Sequence, residues 1–380
     1  MVCDSRLLIL MSYCVADCLA LAVDRLNKKQ FFMRMMIVGA WRWPIYEDAF
    51  SRGLVANGAE VYPFETASFF EGLLGRQQSA LPMPGPALWR LNLKVIQEAK
   101  RVRPDWILFW RSTHILSSTL KHLAAQGIKL VSYNNDDPFG PRRHGRVPWH
   151  HHVLWRNYLA CLPWFDRNYF YRQVNCDEAL EFGARNASLL LPYFIPWRDK
   201  PVELKSEDNK EYETDIVFVG HYENDGRVVA LRGLHESGLK VRLWGGDYWT
   251  REVLGKLYGE LAPIRPAEGD EYAKVLSGAK ICLAFLSKLN RDTYTRRCFE
   301  IPACKSVMLA ERTQDLKRFF KEDEEACFFS STDELIDKAK WLLSHEKKRE
   351  SIANLGMRRV WTDGHDVVSR AKQFLDCLIP

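Results

Sequence analysis

Lys280-Ile-Cys-Leu-Ala-Phe285, Asn290-Arg-Asp-Thr-Tyr-Thr-Arg-Arg-Cys-Phe-Glu-Ile-Pro-Ala-Cys304 and Ser306-Val-Met-Leu-Ala310 stand in close succession in the second half of the chain. The outer two are short, unbroken apolar runs, the pattern of strands covered on both faces. Between them the sequence turns polar where a crossover helix must start, and 297–303 reads as that helix. Strand, helix and strand in this order form a βαβ unit with parallel strands, and ligands gather at the carboxyl ends of such strands.

The same alternation extends outward. In the second half, strands are expected at 215–219, 240–244 and 327–329, with helices at 227–237, 270–276, 313–320, 332–343, 347–360 and 365–378. In the first half, strands are expected at 36–40, 60–64, 106–109, 129–133, 167–170 and 188–191, and helices at 46–57, 87–101, 117–125 and 176–182. Between the halves, 196–213 is charged and poor in apolar residues and reads as a linker. The expected fold is α/β: two Rossmann-like domains, 33–195 and 214–364, with parallel sheets facing across a cleft. A C-terminal helix over 365–380 returns toward the first domain.

Length and composition agree with two domains. A chain of 380 residues exceeds what one core usually serves, and 47% apolar with 27% charged residues is ordinary for a globular protein. The net charge of +6 suits an anionic small ligand or an anionic membrane and falls short of a nucleic-acid signature. Ten cysteines show no C-x-x-C pair, so buried, reduced thiols are expected rather than a disulfide framework or a zinc site. Leu7 to Val23 is apolar but interrupted by Asp17, a costly residue in lipid. Residues 1–32 therefore read as an appendage or a mis-assigned start, with a weak membrane-contacting helix as the alternative.

Several residues carry candidate chemistry. After the strand at 215–219, Gly220 and His221 precede Arg227, and all three are placed to face a diphosphate; a polar turn is the plainer reading. Gly245 follows the strand at 240–244. Thr295 is the expected N-cap of the helix at 297–303, with Arg296 and Arg297 aimed at one phosphate. Glu300, set between Phe299 and Ile301, would be buried and need partners, such as the hydroxyls of a ribose; an Arg297–Glu300 salt bridge is the alternative. In the first half, Asn135, Asp136 and Asp137 follow a strand, where a carboxylate would deprotonate an acceptor hydroxyl. Arg42, after the first strand, is a candidate on the acceptor side. His150, His151 and His152 diverge in direction and are not read as metal ligands. Arg142, Arg143, His144 and Arg146, with Trp149 and Trp155, are expected to form a mobile rim for an acceptor or a membrane.

Arg297-Cys-Phe-Glu-Ile-Pro-Ala-Cys304, followed by an apolar strand, resembles the R-x-F-E-x-x-A-C-G signature of CgeB-like glycosyltransferases, relatives of the large retaining GT-B families. Phe218-Val-Gly220 with Arg227, Leu243-Trp-Gly245 and the final helices match in order, so the resemblance covers roughly residues 213–376. The resemblance implies transfer of a sugar from a nucleoside diphosphate sugar to a carbohydrate, lipid-linked or protein acceptor. It places Glu300 on the nucleotide ribose, His221 and Arg227 on the diphosphate, and Asp292 on the donor sugar as the first acid of an E-x7-E pattern. Retention of configuration, no metal or other cofactor, and a cytoplasmic site with optional peripheral contact at the inner face of the membrane are further implied expectations, as is a role in cell-surface polysaccharide. Lys305 departs from the family's glycine. The rival functions are a nucleotide-sugar epimerase and a non-catalytic nucleotide- or sugar-binding protein. An NAD dehydrogenase is disfavoured, because no G-x-G-x-x-G follows either first strand.

Overall fold

The computed structural model describes residues 33–140 and 149–378. Residues 1–32 and the basic quartet Arg142, Arg143, His144 and Arg146 lie outside that range. Two parallel sheets form the frame. The first contains β1 (Arg34–Gly39), β2 (Glu60–Glu65), β3 (Trp106–Trp110), β4 (Lys129–Asn134), β5 (Arg167–Phe170) and β6 (Ser188–Leu189), in the order β2-β1-β3-β4-β5-β6. The second contains β7 (Thr214–Val219), β8 (Val241–Trp244), β9 (Ala279–Ala284), β10 (Val307–Glu311) and β11 (Cys327–Phe329), in the order β11-β10-β9-β7-β8. The strand order reverses between β1 and β3 in one sheet and between β7 and β9 in the other. Crevices open at such switch points.

The expected two-domain α/β architecture is therefore present, and all eleven expected strands form within a few residues of their expected ends. Helices Gly72–Ala80, Trp149–Cys161 and Ser206–Tyr212 were not expected, nor were the short Arg251–Leu254 and Leu257–Leu261. The first lies outside the apolar runs, and the third falls in the stretch read as linker. The second corrects the view of 149–155 as a mobile rim: Trp149 is exposed at its start, but Trp155 is buried against Tyr158.

The C-terminal helix, Val367–Leu378, returns to the first domain as expected. It lies on the Glu47–Ala56 helix, and Gly53 allows the approach, since a Cβ there would sit 2.7 Å from the Val367 carbonyl oxygen. Phe374 packs its ring against Phe50 and Tyr169, at centroid separations of 5.4 and 5.2 Å. One apolar cluster runs from these residues through Tyr193 and Phe194 into Phe299 and Val360 of the second domain. Six described cysteines are buried and unpaired, and Cys377 is exposed and unpaired.

His365 anchors the start of this returning segment. Its carbonyl accepts from the Phe194 amide at 3.1 Å, its ring stacks on Phe299, and its Nδ1 accepts from Arg370 Nη2 at 2.7 Å. Burial, and then the Arg370 charge, push the imidazole down to about 4. The unfolded chain takes up this proton near the ordinary histidine value and the folded chain does not. Stability carried by neutral His365 is thus complete above about pH 6.5 and lost as pH falls toward 4. Thermal unfolding is expected to show a fall in Tm over that window that is shallower in His365→Gln; an identical slope would exclude this role.

Candidate functional site

Both switch points open into cavities. One, of 560 Å³, lies in the first domain between the ends of β1 and β3 and is lined by Gly39, Arg42, Trp43, Trp110, Ser112 and His114, among others. The other, of 810 Å³, lies between the domains and is lined by the ends of β7 and β9, by residues 295–300, and by first-domain residues that include Tyr171 and Arg172. Arg42, Trp43, Tyr46, Asn135 and Asp136 line both. The two cavities therefore meet at Asp136, whose carboxylate pairs with Arg111.

Asp137, one residue on, is not at the cleft surface. It is only 3% exposed, and its Oδ1 accepts from the Phe139 and Gly140 amides at 3.0 and 2.8 Å and from Asn175 Nδ2 at 3.0 Å. Arg291 of the second domain caps it, donating from Nη2 at 2.9 Å and also from Nε. Successive side chains diverge, so the Asp-Asp pair divides into one cleft residue and one structural residue. Asp292 is likewise committed: Arg172 donates to it at 2.6 Å through Nε and again through Nη2. Burial raises the Asp292 carboxyl despite that partner.

Glu300 is buried and partnered, as expected, and its partners are not the Arg297 of the alternative i,i+3 pair. Its Oε1 accepts from Arg198 Nη2 at 2.7 Å and from Arg296 Nε and Nη2 at 3.0 and 2.9 Å; its Oε2 accepts from the Tyr272 hydroxyl at 2.7 Å. Burial alone would favour the neutral acid. Arg296, then Arg198 and Tyr272, outweigh it and hold the carboxyl well below its usual range. Oε2 keeps room for one more hydrogen bond, since it accepts only the Tyr272 bond. Arg296 lines the cleft beside Arg297 but its donors are already taken: it is buried, it donates to Glu300, and its Nη1 reaches the Ile45 carbonyl oxygen of the first domain. Thr295 does not cap the helix by its side chain; Arg296 occupies the cap position, and the Thr295 carbonyl oxygen accepts from the Cys298 amide.

The loop after β7 also departs from expectation. Arg227 is buried and held by Asp225, with Nε donating at 2.8 Å, while its Nη1 donates to the His221 carbonyl oxygen at 2.5 Å. His221 Nε2 lies 3.0 Å from Glu223 Oε1, and Ser287 Oγ donates to Glu223 Oε2 at 2.9 Å. Glu223 lines the cleft and was missed by sequence reasoning, because only its tertiary partners mark it. Gly245 does not line the cavity, whereas Gly246 does. Gly245 instead lets the β7 and β8 turns close together, since a Cβ there would collide with the Gly220 carbonyl oxygen and lie 2.5 Å from Trp249.

Arg297 stands apart. Its Nε is buried without a hydrogen-bond partner, its guanidinium lies 5.8 Å from the Phe218 ring centroid, and among the described residues no carboxylate pairs with it. A Cβ on Gly220 would sit 3.4 Å from Arg297 Nη1, so glycine keeps that approach open. Among the described arginines of the cleft, 172, 198, 227 and 296 have carboxylate partners, while 42 and 297 have none. Among the described residues no three His, Cys, Asp or Glu side chains converge as metal ligands would.

Residues 227–376 match the profile of a family described as glycosyl transferase-like. Among curated proteins none matches the sequence. Several solved structures share the fold over most of both chains. Sucrose-phosphate synthase from Thermosynechococcus elongatus superposes with a TM-score of 0.66 at 12% identity, covering 91% of this chain and 98% of that one. Anabaena HepE, solved with UDP-glucose, gives 0.63 at 13%, covering 91% and 99%. A protein described as a UDP-N-acetylglucosamine 2-epimerase from Listeria monocytogenes gives 0.56 at 12%, covering 91% and 96%. The GT-B-like arrangement of two Rossmann-like domains is thus shared with these structures.

Asp137→Ala should lower folding stability by about 3–5 kcal/mol, because it leaves Arg291 and two backbone amides short of an acceptor in a buried site. Chemical denaturation measures this; a loss under about 1 kcal/mol would contradict a structural role.

Proposed function

We propose that the chain is a glycosyltransferase that takes a sugar from a nucleoside diphosphate sugar in the 810 Å³ cleft to a hydroxyl acceptor in the 560 Å³ cavity. The observation that carries this reading is the unpartnered Arg297 guanidinium, set over Gly220 at the β7–β9 switch point. A diphosphate would supply the anion it lacks, and that charge grows as the sugar departs, so Arg297 would stabilise the leaving group. Glu300, with one open position on Oε2, is suited to accept a ribose hydroxyl, and Arg198, Arg296 and Tyr272 fix its orientation. Asp136, ion-paired with Arg111 where the cavities meet, would accept the proton of the attacking hydroxyl. Asp292 and Arg227 act here through the positions they hold, because their partners already occupy them. Retention of configuration and independence from metal belong to the proposal through the resemblance alone.

The match of residues 227–376 to a glycosyl transferase-like family, and the HepE structure with UDP-glucose, support a nucleotide-sugar donor. An epimerase is the second reading, because a protein described as one shares the fold. The second cavity favours transfer, since an epimerase converts a single substrate and needs no acceptor site.

Arg297→Ala loses no ion pair and should melt near the wild-type Tm. Loss of charge-assisted bonds worth about 1.5–3 kcal/mol should weaken nucleoside diphosphate binding by roughly ten- to a hundredfold. Titration calorimetry with UDP and GDP measures this. Unchanged affinity for whichever of them binds the wild type would remove Arg297 from the donor site.

A further inference from the structure

The Pro86–Val102 helix buries Leu88, Leu91, Val95, Ala99 and Val102 on one side. Its exposed positions are Pro86, Trp89, Arg90, Leu93, Lys94, Gln97, Lys100 and Arg101. None is acidic. Trp89 and Leu93, one turn apart, are 58% and 55% exposed, so two large apolar side chains stand in water beside four basic ones. Glu98 is the helix's one acidic residue, and it is taken up by Arg101, whose Nε donates to it at 3.0 Å.

We propose that this face docks the protein on an anionic lipid surface. A lipid interface accepts both halves of the face: Trp89 and Leu93 enter the boundary between headgroups and acyl chains, and the basic residues meet lipid phosphates. A nucleic acid would satisfy the charges and leave Leu93 in water. A second copy of the same face would bring like charges together.

Position gives the contact a purpose. Ser79 and Ala80 line the 560 Å³ cavity, and residues 81–85 join them directly to this helix. Asn157 Nδ2 donates to the carbonyl oxygens of Pro82 and Thr113 at 3.1 and 3.3 Å, fixing that connection against the cavity wall. Docking would hold the cavity close to the membrane surface, within reach of an acceptor carried there. The docking itself does not depend on the glycosyltransferase reading, because it rests on the surface alone.

Co-sedimentation of the full chain at low salt tests it, with vesicles of phosphatidylcholine alone or with about one-third phosphatidylglycerol. The wild type should bind the anionic vesicles and largely ignore the neutral ones. Trp89→Glu/Leu93→Glu and Lys94→Glu/Lys100→Glu should each cut partitioning at least about tenfold, with circular dichroism and Tm unchanged. Equal binding by both double variants overturns the proposal. So does binding to neither vesicle, as does a shift of duplex DNA without vesicle binding.

Discussion

The geometry of the cleft depends on buried ion pairs that cross between the domains. Arg291 of the second domain donates to Asp137 and to both oxygens of Glu178 in the first, while Arg172 of the first holds Asp292 of the second. Withdrawing such groups from water is costly, so these pairs add less to net stability than their number suggests. Their effect is on arrangement: a charge that must be paired in a dry site permits few relative positions of the two sheets. That constraint brings the β7–β9 switch point opposite Asn135 and Asp136, where the two cavities meet.

Among the described residues, the polar side-chain contacts that cross between the two sheet domains come from one segment. Asn290 accepts from the Asp137 amide, Arg291 and Asp292 form the pairs above, the Tyr294 hydroxyl donates to the Tyr171 carbonyl oxygen, and Arg296 reaches Ile45. Arg297 follows and turns into the cleft. The polar run between β9 and β10 therefore joins the domains first and offers a ligand only its last charged residues. This economy explains why the segment is so densely polar within an apolar domain. It also ties ligand chemistry to domain geometry, because Glu300 receives Arg198 from the connecting stretch as well as Arg296.

The sheets were legible in the sequence because each strand is a short apolar run between turn residues, and that pattern is local. The place of the cavity between the domains was legible for the same reason: polar residues after the carboxyl ends of β7 and β9 stand out against their surroundings. Orientation within the site was not. Whether Arg296 or Arg297 faces a ligand depends on Ile45, and whether Asp136 or Asp137 does depends on Arg291, partners remote in sequence. Arg227 and His221 were read as phosphate ligands because Glu223 and Asp225, their close partners, gave no sign of folding back onto them. Ser206–Tyr212 escaped notice because it lacks an apolar stripe and leans on charged contacts such as Lys274 to Asp208.

Among the described residues, every arginine of the cleft already has a carboxylate partner, except for the exposed Arg42 and for Arg297. The most direct test is a thermal-shift titration of the wild type with nucleoside diphosphates and their sugars. A ligand that binds the folded chain raises Tm in step with its concentration over its dissociation constant. A saturable rise is expected for the diphosphates and sugars of one base, and little for the matching nucleoside without phosphates. A flat response across every base, or an equal rise with the bare nucleoside, would contradict it.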